Sequence, residues 1–178
     1  MKILIASDVH GSYDALKKVL EKVNSEKAEK LILLGDVYNH GPRNPFPAEY
    51  SPMEVASALN SVKDNLIVVK GNCDSAVDTM ISEFDFIENA CLVINGKTVF
   101  LTHGHVYNKD AMPKTKYDAV IYGHFHTGFI EEKDGVIVAN AGSISLPKNN
   151  TKASYIVVDE NEITLKDLDG NVLQTRKF

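Results

Sequence analysis

Lys2-Ile3-Leu4-Ile5-Ala6-Ser7-Asp8-Val9-His10-Gly11-Ser12 is the stretch from which the rest of the chain is read. Lys2 to Ser7 is a short apolar run, the pattern of a strand buried on both faces. It ends abruptly on an acid, an imidazole and a glycine. Ser12 is a fitting N-cap, and Leu16, Val19, Leu20 and Val23 recur behind it with helical spacing. Lys30 to Leu34 is a second apolar run. A strand, a helix and a strand within about 35 residues predict a βαβ unit and a parallel strand pair.

Outward from that unit, Asn39 to Pro52 reads as loop, because it holds Pro42, Pro45, Pro47 and Pro52. Pro52 to Val62 is predicted helical, with Val55, Ala58, Leu59 and Val62 on one face. Leu66 to Val69 is a third buried strand, and Asp74 to Ile81 a short helix in which Asp74 serves as a cap. Beyond Phe84 the period changes. Leu92 to Ile94 and Thr98 to Thr102 flank Asn95-Gly96, and Phe129 to Glu132 and Val136 to Ala139 flank Asp134-Gly135; both are hairpin signals. Val120 to Tyr122, Tyr155 to Val158, Ile163 to Leu168 and Val172 to Gln174 complete the strands, the last two joined through Asp169-Gly170. The fold class is therefore α/β, with an α/β first half and a mostly β second half. No repeat or linker interrupts it, so residues 1–178 are expected to form a single domain with two sheets.

Bulk composition narrows the function. The 178 residues carry a net charge of −5, which argues against broad binding to nucleic acid or anionic membranes. A small anionic substrate remains compatible, since a bound metal supplies local positive charge. The apolar run Ile3 to Ala6 is too short for a signal sequence, and no run approaches the roughly 20 residues of a membrane span. The expected location is the cytoplasm, where Cys73 and Cys91 stay reduced, although spacing alone leaves a disulfide between them open. Cys91 is expected in the core.

Chemistry-bearing residues collect where the apolar runs end. Asp8-Val9-His10, Gly35-Asp36, Gly71-Asn72, His103-Gly104-His105 and Gly123-His124-Phe125-His126 each follow a predicted strand. Ligands of open α/β sheets bind outside the carboxyl ends of strands, so five such clusters point to one shared site. Carboxylate and amide oxygens mixed with imidazoles suit Mn²⁺, Fe, Co²⁺, Ni²⁺ or Zn²⁺ better than Ca²⁺. Singly, Asp8 or Asp36 is more often a turn residue than a ligand. Beside Asn72, His103, His124 and His126, the metal reading prevails. Two divalent ions against two carboxylates leave a charge of about +2, enough to attract a phosphate.

The order D-x-H, G-D, G-N, H-G-H, G-x-H resembles the calcineurin-like metallophosphoesterase superfamily. Gly71-Asn72-Cys73-Asp74 and Asn39-His40-Gly41-Pro42-Arg43-Asn44 look like its small bacterial YfcE-type phosphodiesterases. The resemblance runs over nearly the whole chain, including Asn140-Ala141-Gly142-Ser143. It implies a four-layer α/β/β/α sandwich with two mixed sheets. It implies two divalent metal ions, Mn²⁺ foremost, with Ni²⁺, Fe, Co²⁺ and Zn²⁺ as alternatives. Asp8, His10, Asp36 and His126 would bind the first, and Asp36, Asn72, His103 and His124 the second, so that Asp36 bridges. A hydroxide held between the ions would attack a phosphodiester in line with its leaving oxygen. The family also leads one to expect a homodimer or homotetramer.

Many members carry a histidine, a candidate acid for the leaving group, where this chain has Cys73. A thiol with a pKa of about 8.5 is a poor substitute for imidazolium. Small diesters with good leaving groups are then the expected substrates, unless His105 or His40 supplies the proton. His105 reads as either a catalytic group or one that orients a ligand. His40 and Arg43 read either as a solvated loop or as phosphate-recognising residues, Arg43 with a bidentate fork. Cys73 should line the pocket in any case. The alternative functions are a non-catalytic metal-binding scaffold, as in the retromer subunit of this fold, a nuclease, or a phosphomonoesterase. Long nucleic acid is a poor fit to the acidic chain.

Overall fold

The computed structural model describes residues 1–178. Twelve strands and two helices follow one another as β1 (Ile3–Ala6), α1 (Tyr13–Ser25), β2 (Lys30–Leu33), α2 (Pro52–Ser61), β3 (Leu66–Val69), β4 (Phe86–Ile87), β5 (Ala90–Ile94), β6 (Lys97–Leu101), β7 (Ala119–Tyr122), β8 (Phe129–Lys133), β9 (Val136–Asn140), β10 (Ser154–Val158), β11 (Glu162–Asp167) and β12 (Val172–Lys177). The opening βαβ expectation holds: β1 and β2 pair in parallel, and α1 between them starts at an N-cap Ser12 whose side chain accepts from Ala15 N. The short helix expected from Asp74 is a 3-10 turn over Ala76–Met80, preceded by Ser75.

Two mixed sheets result. One has seven strands in the order β12-β11-β10-β1-β2-β3-β4; β1 to β4 run parallel, and β10 returns antiparallel against β1. The other has five in the order β5-β6-β7-β9-β8, with hairpins at both edges and a parallel centre. The Asn95-Gly96 and Asp134-Gly135 turns close those hairpins, pairing Ile94 with Lys97 and Lys133 with Val136.

Alternation along the strands fixes which face meets which layer. Ile3, Ile5, Ile32 and Leu34 face Val99, Leu101, Ile121 and Ala139, an apolar layer between the sheets. Leu4, Leu31, Leu33 and Val68 point the other way, onto Leu16 and Val19 of α1 and Val55 and Leu59 of α2. The outer face of the five-stranded sheet packs Phe100, Val120 and Tyr122 against Tyr107, Met112 and Tyr117, which belong to a stretch with no helix. Cys91 is a correction to the sequence reading: it is exposed on edge strand β5, because its neighbours Ala90 and Leu92 take the inward positions. Neither cysteine is disulfide-bonded. No helix is long and apolar enough to cross a membrane.

This packing places the ends of β1, β2, β3, β6 and β7 at one rim of the two sheets, and the polar clusters lie there.

Candidate metal centre

The chain turns sharply as it leaves each strand. Asp8, His10, Asp36, His124 and His126 have φ values of 56°, 49°, 55°, 66° and 59°, a left-handed conformation that side chains rarely adopt. Each costs about 1–3 kcal/mol, and such strain persists only where surrounding contacts impose it. Here the contacts are visible. Backbone N–H groups of Asp8 and His10 donate to the carbonyls of Gly35 and Asp36 at 3.1 and 2.8 Å. Ser143 Oγ and Ser145 Oγ both donate to the Asp8 carbonyl, at 2.8 and 2.9 Å, so the Gly142-Ser143 turn braces the first cluster. Gly123 packs against Asp8; a Cβ there would lie 1.9 Å from Ser7 Oγ and 2.6 Å from Asp8 Oδ2.

The seven expected ligands come together in two poles. At the first, His10 Nε2 and His126 Nε2 face each other at 3.1 Å, with Asp8 Oδ1 at 3.6 and 3.2 Å from them. At the second, His103 Nε2 lies 3.0 Å from Asn72 Oδ1 and 3.2 Å from His124 Nδ1. Asp36 stands between, with Oδ2 3.8 Å from His10 Nε2 and Oδ1 3.5 Å from His103 Nε2. One carboxylate thus offers one oxygen to each pole.

These residues fit divalent ions. Asp8 Oδ1 is fully buried yet accepts no hydrogen bond. Asp8 Oδ2, by contrast, accepts from Ser7 Oγ at 2.6 Å and His124 N at 2.8 Å. His10, His103 and His126 each donate Nδ1–H to a backbone carbonyl (Asn39, Leu34 and Leu146, at 2.6–2.7 Å), which turns Nε2 inward. That second contact sets the tautomer a ligating imidazole needs. Inward-facing nitrogens 3.1 Å apart call for a shared proton or a cation between them.

Without a cation, protons take that place. Burial opposes charge on His103, but Asp36 and Asp8 outweigh it and lift its pKa to about 9. Burial likewise opposes ionisation of Asp8, and the imidazoles of His10 and His126 override it and hold the carboxyl below its usual range. Burial and then the His103 charge lower the pKa of His124.

Asp74 has a role that the motif reading missed. It is no helix cap. Its Oδ2 accepts from Asp36 N at 2.8 Å and Gly71 N at 2.7 Å, and its Oδ1 accepts from Val37 N at 2.8 Å. It ties the loop carrying Asp36 to the loop carrying Asn72. Burial raises its pKa to about 6 against those three donors. A carboxylate two residues past Asn72 was the available signal, but helix capping explained it equally well.

The remaining candidates separate. A cavity of about 890 Å³ opens beside the poles, lined by Asp36, Asn72, His124 and His126 and by Arg43, Cys73, Phe125 and Lys148, among others. Arg43 and Cys73 are therefore on its wall, as expected, and Lys148 is an addition. His40 is not on the wall: its ring stacks on Phe46 at 4.3 Å and meets Tyr50 edge-on at 5.7 Å. Nor is His105, an exposed ring with its centroid 5.4 Å from that of His103. Burial and the His103 charge lower its pKa. Burial and Asp36 push the Cys73 thiol up to about 12.

Residues 1–162 match the calcineurin-like phosphoesterase superfamily domain. The chain belongs to that superfamily. This phosphoesterase chain is 40% identical to the phosphodiesterase YfcE of Escherichia coli (strain K12), over 93% of its own length and 91% of that protein's. It is 31% identical to a phosphodiesterase of Methanocaldococcus jannaschii, over 80% and 83% of the two chains. The solved structure of the E. coli phosphoesterase YfcE superimposes with a TM-score of 0.95 at 37% identity, covering 99% of this chain and 98% of that one.

Proposed function

We propose that this chain is a metal-dependent phosphodiesterase in which residues 1–178 act as one unit around two divalent ions. Asp8, His10, Asp36 and His126 would hold one ion, and Asp36, Asn72, His103 and His124 the other. The observation that carries this reading is the buried, unpartnered Asp8 Oδ1 among inward-facing imidazole nitrogens. Family membership and the phosphodiesterase relatives support it. The mixed oxygen and nitrogen donors suit Mn²⁺ first, with Ni²⁺, Fe, Co²⁺ and Zn²⁺ as alternatives.

Bound ions supply Lewis acidity toward phosphoryl oxygens and lower the pKa of water. The chain's own groups do the rest. Left-handed turns at five ligands aim donors from both sheets at one point, so little reorganisation is left for the reaction. Arg43, on the cavity wall, adds positive charge to the space beside the poles. Proton delivery to the leaving oxygen is the weak step. Cys73 is the sulfhydryl on the wall, and a thiol is a poorer acid than imidazolium at neutral pH. Diesters with good leaving groups are the preferred substrates on this account.

The test is turnover of a chromogenic diester and its monoester by metal-stripped protein, with Mn²⁺, Ni²⁺, Zn²⁺ or Mg²⁺ restored one at a time. Diester hydrolysis returning with a transition metal is expected. Two bound ions with no turnover of either ester would favour the scaffold reading.

A further inference from the structure

Of 19 Lys and Arg residues in a chain of net charge −5, two lie on the cavity wall, Arg43 and Lys148. Neither forms an ion pair, whereas the chain's other arginine, Arg176, is 3.6 Å from Glu132. They come from different loops. Arg43 sits in the Pro42–Pro45 turn, held by Asn44 N donating to the Gly41 carbonyl at 3.1 Å. Lys148 follows β9, its backbone N–H donating to the His126 carbonyl at 2.9 Å and its carbonyl accepting from Thr151 N at 3.0 Å. Their roots are fixed next to the poles, while both side chains reach solvent.

Charge balance shows what two such cations are for. Two divalent ions against Asp8, Asp36 and an ionised Asp74 leave about +1, which a singly charged diester already cancels. Arg43 and Lys148 raise the total to about +3. A diester alone would leave about +2 uncompensated in a cavity whose one carboxylate wall residue, Asp36, faces the poles. The cavity volume, about 890 Å³, also exceeds what a phosphate group needs and matches a ligand of drug or nucleotide size. Phe125, 46% exposed between His124 and His126, adds a flat apolar face to that space.

Building on the phosphodiesterase reading, we propose that Arg43 and Lys148 form a second anion subsite, so that the preferred substrate is a diester bearing a further phosphate, with an aromatic ring carried on the segment that joins the two groups lying against Phe125. The scissile diester goes to the poles, and the second phosphate goes to the two cations.

The test compares the dinucleoside monophosphate TpT with its terminally phosphorylated form pTpT. Calorimetric Kd values are measured on the metal-loaded protein and on its Arg43→Ala and Lys148→Ala variants, both altered at exposed side chains. The wild type should bind pTpT at least tenfold more tightly than TpT, and each variant should cut that gain to threefold or less. Equal affinity for the two ligands in the wild type would overturn the proposal. So would variants that weaken both ligands alike and keep the gain, because the cations would then hold the scissile group. Chromogenic diester turnover is followed alongside: its absence, with the pTpT gain intact, would sink the phosphodiesterase reading and leave the subsite standing.

Discussion

At the residue scale, the chain places groups of unusual conformation and unusual proton affinity within a few ångströms of one another. Gly123 shows how little slack there is, since a Cβ would strike both Ser7 Oγ and Asp8 Oδ2. Gly123→Ala is expected to displace the Asp8 carboxylate and weaken metal binding at the first pole at least tenfold, as read by metal titration of the folded variant. The pH response follows from His103. Its pKa rises from 6.5 to about 9 in the metal-free site, so below that pH a proton competes with the cation for Nε2. Apparent affinity at the second pole should rise by about tenfold per pH unit from neutrality and level off near 9; a flat profile between pH 7 and 9 would contradict the assignment. Cys73 gives a third residue-level outcome. Cys73→His restores a group of suitable pKa on the cavity wall and should raise turnover of a poor-leaving-group diester by about tenfold or more. An unchanged rate would remove the missing acid from the account.

At the element scale, strand ends matter more than strands. β2 and β3 run parallel, and Asp74 clamps the loops that leave them by taking three backbone N–H groups at once. Asp74→Ala would leave those buried donors unmatched, at a cost of roughly 2–5 kcal/mol. Denaturant melts should show that loss even without metal, and both poles should loosen because Asp36 and Asn72 sit on the freed loops. Most elements were legible from sequence, because apolar runs such as Leu66–Val69 and turn pairs such as Asn95-Gly96 are local signals. β4 was not: Phe86–Ile87 is two residues long and its parallel partner is β3, so nothing nearby marks it. The pairing of β10 with β1 joins residues about 150 apart, and no local period carries that information. Among the site residues, all seven proposed ligands were readable as polar residues ending apolar strands. Lys148 was not, because a lysine among Asn149, Asn150 and Thr151 looks like any solvated turn.

At the scale of the whole molecule, two sheets share one apolar layer and present their strand ends on the same rim. Ile32 is fully buried in that layer, between the sheets. Ile32→Ala should cost about 2–5 kcal/mol and loosen the relation between the poles, since ligands from β1, β2 and β3 must stay aligned with those from β6 and β7.

The claim on which the account rests is that one carboxylate, Asp36, serves both poles. Metal content per chain, measured after gel filtration of the wild type and of Asp36→Asn, tests it most directly. The account predicts two ions per wild-type chain and loss of tight binding at both poles in the variant, with diester turnover abolished. Two ions retained tightly by Asp36→Asn would contradict it.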